Sequence, residues 1–499
     1  MRQPGRPDTP ILLDGALPDL RESPPHQPQG TAPMSDAVIA HLSAQRDAIL
    51  ERLKALLRLP SVSTDPAFAD AMQAAREFLL QRLRAIGMQN VQLLEGGGQP
   101  AVFGEWLGAP GRPTLIVYGH YDVQPADPLE LWDTPPFEPT VRDGRLYARG
   151  ASDVKGSTTI AIETIAGFLA VTGGCPVNIK LFIEGEEECG SPSLRGIVEH
   201  HRDKLAADAM LSADGSRAST TIPTLGIGGR GLAGLQFALR TAAKDAHSGR
   251  YGGAVRNALH EMAALLASLH DRQGRIQVAG FGDDATPISN AMRAATAALP
   301  FDEAEFYASI GGTAWGDPTY SVRELVTLRP TIEVNGLWGG YTGAGTKTVL
   351  PCEAHAKITM RLAPGMDPRR ARQQLRAHLQ ALAPPGVELS FSAHDGGTPA
   401  PTLPDDHPLL VTASRVQERL HGRQPVPVRA GGTLPITAIF REMLGIDTLA
   451  YGLAMPDEDV HAPNEFFRLA SFDEGLRSWP MLLSELGQLT AADFAPFRH

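Results

Sequence analysis

The sequence predicts an α/β protein: a helix-covered, mostly parallel sheet whose chain is interrupted by an inserted α+β segment. Three observations predict it. Short apolar runs, "PTLIVYGH" from Pro113, "VNIKLFIEGEEE" from Val177 and "DAMLSADG" from Asp208, have the character of strands buried on both faces. Between the first two lies "STTIAIETIAGFLAVTG", of helical length and composition, as a parallel crossover requires. Near Gly228 the pattern changes to alternation in "GLAGLQFALRTAAKDAHSG", and "HAKITMRLAP" repeats it, which suits a half-exposed antiparallel sheet.

The elements follow in order. Residues 1–34 are proline-rich, lack an apolar signal-peptide core and read as a disordered arm, with Met34 as a candidate start. Ser35 and Asp36 offer an N-cap for a helix in which Val38, Leu42, Ile49 and Leu53 recur at helical spacing until Pro60. A second amphipathic helix ends at Gly87, and "NVQLLEG" and "AVFGEWLG" follow as strands. Residues 35–226 form the first part of one domain and 227–400 the insert, with helices in "AVRNALHEMAALLASLHD" and "DPRRARQQLRAHLQALA". Residues 401–499 return to buried helix and strand and complete the first domain.

Composition excludes several classes. At 499 residues the chain supports two or three domains, and 42% hydrophobic with 20% charged residues is an ordinary globular balance. A net charge of −11, without a basic block carrying aromatics, argues against nucleic acid. No run approaches the roughly 18 apolar residues of a membrane span. Cys175, Cys189 and Cys352 are few, odd in number and without CxxC spacing, so a reducing cytoplasm is expected.

The strand ends carry the chemistry. His120 and Asp122 follow the first strand, Glu187 and Glu188 the second and Asp214 the third, with Asp153 in "ASDVKGS" and His461 in "DVHAPNEFF" besides. Ligands of open α/β sheets bind at the carboxyl ends of strands. Two histidines and several carboxylates without thiolates suit a divalent metal, zinc first and manganese or cobalt as alternatives. The donors are too many for one four-coordinate ion that also holds water. Two ions about 3.5–4 Å apart and sharing a carboxylate use them all, and Glu187 and Glu188 suggest one acid on the metals and one free as general base. Taken singly, "EGEEECGS" reads as an acidic loop and "ASDVKGS" as a turn; their joint occurrence decides against that. "GGYTGAGTKTV" lacks the adjacent Gly-Lys of a phosphate loop, and His200 and His201 sit in a polar helix with nothing else of ligand type converging on them, so both read as structural.

These residues resemble a known family, the co-catalytic metallopeptidases that include cytosolic non-specific dipeptidase, carnosinase, aminoacylase and glutamate carboxypeptidase. The resemblance runs from about Ser35 to the C-terminus through "GHYDVQP", "GRLYARGASDVKG", "EGEEECGSP", "KDAHSGRYGG", "GAGTKTVLP" and "VHAPNE", nearest the dipeptidase branch. It implies that His120, Asp153 and Asp214 hold one metal and Asp153, Glu188 and His461 the other, with a cis bond after Asp153. Asp122 is then the residue that orients His120. Glu187 matches the general base, and His247 matches a residue that reaches the partner subunit's site and stabilises the oxyanion, so a homodimer through the inserted domain is implied. Arg361 matches a carboxylate clamp, and Gly432 and Thr433 match contacts near the same carboxylate. The expected function is di-metal-dependent hydrolysis of dipeptides or similar small peptides. The alternatives are an N-acyl or N-carbamoyl amino-acid amidohydrolase on the same site and, from another class, a metal-free binding or regulatory protein.

Overall fold

The computed structural model describes residues 32–392, 397–432 and 435–499. The chain first lays down β1 (Gln89–Leu94), β2 (Ala101–Trp106), β3 (Thr114–His120), β4 (Asn178–Glu184), β5 (Ala209–Ser212) and β6 (Thr224–Gly229). It then builds a second sheet from β7 (Gly231–Arg240), β8 (Thr331–Gly339), β9 (Glu353–Leu362) and β10 (Glu388–Phe391), and returns to the first with β11 (Val426–Ala430) and β12 (Thr448–Ala450). The first sheet has the order β1-β2-β4-β3-β5-β12-β6-β11. Its β3–β4, β3–β5, β5–β12 and β6–β11 ladders are parallel, and the other three are antiparallel. The second sheet is antiparallel, in the order β8-β9-β7-β10.

Burial explains why β3 lacks the alternation of a half-exposed strand. Leu115 and Val117 face a core shared with α1 (Ala32–Ala44), α2 (Arg46–Leu57), α3 (Ala69–Ala85) and α4 (Gly156–Thr172), whereas Ile116 and Tyr118 face Phe103, Phe182 and Phe440. Both faces are dry, so both must be apolar. The crossover α4 is buried almost all round, which accounts for a composition apolar enough for a membrane span. It approaches β3 so closely that a Cβ at Gly119 would run into the Thr158 side chain. Within α4, Glu163 is buried and accepts bidentate hydrogen bonds from Arg52 and from Arg82, at 2.6–3.0 Å. These bonds fasten α2 and α3 to the crossover.

The second sheet covers one face only. Leu235, Phe237 and Leu239 of β7 pack against Met262 and Leu265 of α5 (Ala258–Ala267) and Leu375 and Leu379 of α6 (Pro368–Leu382). Asp367 caps α6 by accepting from Arg370 N at 2.7 Å, and Pro368 occupies the first turn, where its missing N–H is harmless.

Two sequence expectations shift. The first helix begins at Ala32, so Ser35 and Asp36 lie inside it rather than capping it, and it breaks at Gln45 into α1 and α2. The proline-rich arm lies outside the described residues apart from its last three, Ala32 to Met34, which are helical.

Candidate active site

Strand register brings the ligand-type residues level. In the β3–β5 ladder Tyr118 lies opposite Ser212, so two residues further His120 and Asp214 reach the same height. In the β3–β4 ladder His120 lies opposite Glu184, after which the short turn Glu187–Cys189 carries Glu187 and Glu188 over the sheet edge. Asp153 stands just ahead of α4, where the positive end of the helix favours a carboxylate, and its bond to Val154 is cis.

Two donor groups result, His120–Asp153–Asp214 and Asp153–Glu188–His461, each with its donor atoms within 4.8 Å of one another. Asp153 belongs to both. Its Oδ1 lies 3.3 Å from His120 Nε2 and its Oδ2 2.9 Å from His461 Nε2, so its two oxygens serve opposite sides. His461 Nε2 is also 3.1 Å from Glu188 Oε2, and His120 Nε2 is 3.9 Å from Asp214 Oδ2. His120 Nε2 is buried without a hydrogen-bond partner, the condition in which a metal ligand is left when no ion is present. An N/O donor set with that orphaned nitrogen fits two divalent ions.

Charge is concentrated here. Burial pushes the Glu187 carboxyl up to about 7, with Glu188 and Asp153 adding to the effect and His120 opposing it, and no described residue hydrogen-bonds its side chain. Burial also raises Asp214 well above the usual carboxylate range, against His120. Asp153 goes the other way: burial would raise it, but His120 and His461 hold it below the usual range. Behind β4, burial pushes Glu184 up to about 8, and it accepts from Tyr118 Oη at 2.6 Å.

Asp122 sits behind His120, with a difference from the simple pairing the sequence suggests. The imidazole Nδ1 is 3.0 Å from the Asp122 backbone carbonyl and 3.4 Å from its carboxylate. That carboxylate instead accepts from Ser63 Oγ at 2.7 Å and from Glu188 N at 3.1 Å, which ties the two donor groups together. His247 does not converge on either group. It is exposed, paired with Val349 in the second sheet's part of the chain, and its Nδ1 accepts from Gly249 N. Arg361 lies on β9 opposite Leu232 and Thr331, near enough to Arg230 to help burial lower that residue's pKa to about 10. Gly432 shares a cavity wall with Asp214, and Thr433 lies outside the described residues.

The residues that sequence reading passed over hold the donors in place. Glu465, wholly buried, accepts from the backbone N–H groups of Gly150, Ser152 and Asp153 at 2.9–3.1 Å and from Arg149 Nη1 at 2.7 Å. Glu458 accepts from Ser152 Oγ at 2.6 Å. Gln124 donates to Glu188 Oε2 at 2.9 Å. Lys155, buried so deeply that its pKa falls to about 7, donates to the carbonyls of Leu56 in the last turn of α2 and of Leu59 just beyond it. Glu465 had a signal in "HAPNE"; the others had none beyond proximity to a ligand.

Two outcomes follow from this geometry. Glu465→Gln turns one acceptor oxygen into a donor facing N–H groups, so metal affinity measured by chelator competition is expected to fall about 10–100-fold with the fold retained. An unchanged affinity would remove Glu465 from the support of the site. Hydrogen bonds that His461 donates to Asp153 and Glu188 push its pKa up to about 10, and a protonated imidazole cannot ligate. Zinc uptake by metal-free protein at pH 7 is therefore expected to release protons and to weaken as pH falls, which calorimetry in buffers of different ionisation enthalpy measures.

Known proteins match this arrangement. The family described as Peptidase family M20/M25/M40 matches residues 116–485. The chain is 29% identical to the human Beta-Ala-His dipeptidase, over 91% of this chain and 93% of that one. It is 26% identical to the Cys-Gly metallodipeptidase DUG1 of Saccharomyces cerevisiae, over 89% and 96%. Among solved structures, human carnosine dipeptidase 1 superposes with a TM-score of 0.72 at 26% identity, covering 92% of this chain and 100% of that one. A metallo-carboxypeptidase from Sulfolobus solfataricus gives 0.74 at 29% identity, covering 88% and 99%. With the match spanning most of its length and both donor groups inside it, the chain belongs to the M20/M25/M40 peptidase family.

Proposed function

We propose that this protein is a metal-dependent dipeptidase. One observation carries the reading: a carboxylate shared by two imidazole-bearing donor groups, with the unpaired Glu187 beside it. Two divalent cations, zinc by donor type with manganese or cobalt as alternatives, would be held by His120, Asp153 and Asp214 and by Asp153, Glu188 and His461, where such ions acidify water and polarise a carbonyl.

Glu187 takes the proton of the attacking water and passes it to the leaving amine. A carboxyl raised to about 7 is balanced between accepting and giving it near neutral pH. Asp122 fixes His120 and, through Glu188 N, the turn that carries the base. Arg361, Gly432 and Thr433 receive the substrate carboxylate, for which a guanidinium fork is well shaped.

The inserted segment, 227–400, acts as lid and dimer contact. Its edge strand β8 exposes Val334, Leu337 and Trp338, an apolar edge of the kind that pairing covers. His247, exposed and remote from its own chain's donors, stabilises the oxyanion in the other subunit. Three free cysteines support a reducing, cytoplasmic setting.

Elemental analysis with a panel of dipeptides and N-acyl amino acids, before and after chelation, tests the reading. About two metals per chain and chelator-sensitive dipeptide cleavage are expected; preference for acylated substrates would make it a deacylase, and no turnover with restored metal a binding protein. Glu187→Gln is expected to keep its metals and lose about 10²–10⁴-fold in kcat, whereas His461→Ala loses metal too. Parental turnover in Glu187→Gln would remove the base assignment. If His247 acts across the dimer, equal mixing and reassociation of inactive Glu187→Gln and His247→Ala proteins restores about one quarter of the parental rate, because each mixed dimer has one intact site. No recovery would place His247 in its own subunit's site or outside catalysis.

A further inference from the structure

The cavity beside the donor groups treats its arginines unequally. It holds about 390 Å³, extends from Asp214 to Gly432, and is bordered by Arg217, Arg230 and Arg429. Arg217 is committed to Glu474, donating from Nη1 at 3.2 Å and Nη2 at 2.5 Å. Arg230 donates from Nε to the Gly431 carbonyl at 2.9 Å and from Nη1 to the carbonyls of Leu325 and Arg329 at 3.3 Å.

The Arg429 side chain has neither kind of partner. It makes no hydrogen bond or ion pair with any described residue, and its Nε is buried and unsatisfied. The acid whose field reaches it, Asp405, is an exposed residue. Burial lowers its pKa, as expected for a cation drawn partly out of water. Arg429 borders this cavity and, with Asp405, a second one, and its buried Nε lacks an acceptor that an anion in the cavity would supply.

The place of Arg429 indicates which anion. It stands on β11, opposite Gly228 and three residues before Gly432, which the dipeptidase reading puts at the substrate's carboxylate end. The wall includes the small residues Gly226, Gly229, Ala218 and Ala450, which leave room for a substrate side chain, and an acid, Asp447, that is already paired with Arg441. That reading already assigns Arg361 to the carboxylate common to every dipeptide, so Arg429 is a further guanidinium on the leaving-residue side.

We propose that Arg429 is a specificity-determining residue that selects dipeptides whose C-terminal residue is aspartate or glutamate, its guanidinium pairing with the side-chain carboxylate. The proposal rests on the dipeptidase reading.

The test compares kcat/KM of the metal-loaded full-length protein for Gly-Asp against Gly-Asn and Gly-Glu against Gly-Gln, pairs nearly equal in shape. The parent is expected to favour the acidic member about 10-fold or more. Arg429→Met is expected to abolish that preference, mainly through KM, while the amide members change about two-fold or less, and Arg429→Lys to restore part of it. Retained cleavage of the amide members shows that the variants fold. Equal losses on both members would overturn the proposal, because Arg429 would then serve the common carboxylate or the fold. A parent without acidic preference would also overturn it and leave the dipeptidase reading standing. Metal-loaded protein that cleaves no dipeptide would overturn both.

Discussion

The shared carboxylate of Asp153 is the constraint on which the site depends. One oxygen faces His120 and the other His461, so the residue's position must be right with respect to two segments separated by more than three hundred residues in sequence. Side-chain packing alone would set it loosely. The chain instead fixes the backbone around it: Glu465 accepts from the N–H groups of Gly150, Ser152 and Asp153 itself, and lies four residues after His461. The segment that supplies one imidazole therefore also anchors the shared carboxylate. His461 and Asn464 sit at φ +64°, a left-handed conformation unfavourable for residues with a Cβ, and the bonds of Asn464 to Leu131 and Asp133 help to hold it.

Much of this arrangement was legible because it follows from strand ends. Apolar runs that terminate in His120, Glu187 and Asp214 mark a parallel sheet whose carboxyl edge is functional, and register does the rest. The supports were less legible for a physical reason. Glu465 and Lys155 act on backbone groups, and a backbone acceptor or donor leaves no identity in the sequence. Arg429 has no motif at all; it differs from Arg217 and Arg230 only in what fails to contact it, which three-dimensional structure alone reveals. The break at Gln45 was hidden because apolar spacing continues through it on both sides.

Arg230 shows how two sheets are made to share one site. It is the single residue between β6 of the first sheet and β7 of the second. Its guanidinium reaches the Gly431 carbonyl in the first unit and carbonyls at the end of the short helix Val322–Thr327 in the insert, where the helix dipole favours a cation. The crossing point, the glycine turn and the insert are thereby joined by one side chain. Gly228, at φ +152°, lets β6 pass so near Pro401 that a Cβ would meet its carbonyl, and the outgoing and returning chains run side by side.

The same cleft is electrostatically polarised. At one end Asp122, Asp153, Glu184, Glu187, Glu188 and Asp214 crowd around two histidines, and their mutual repulsion adds to burial in raising Glu184 and Glu187. Such an excess of acid in a poorly hydrated place is tolerable only with cations to balance it, which is the electrostatic case for two divalent ions. At the other end the arginines reverse the sign, and Arg361 adds to burial in lowering the pKa of Arg230. If the acids hold cations as proposed, a cavity with them at one wall and a guanidinium at the other would orient a dipeptide before any close contact forms, carboxylate toward the arginines and amide toward the metals. On the proposed reading, cleavage of the bond next to a terminal carboxylate would follow from orientation as much as from the chemistry at Glu187.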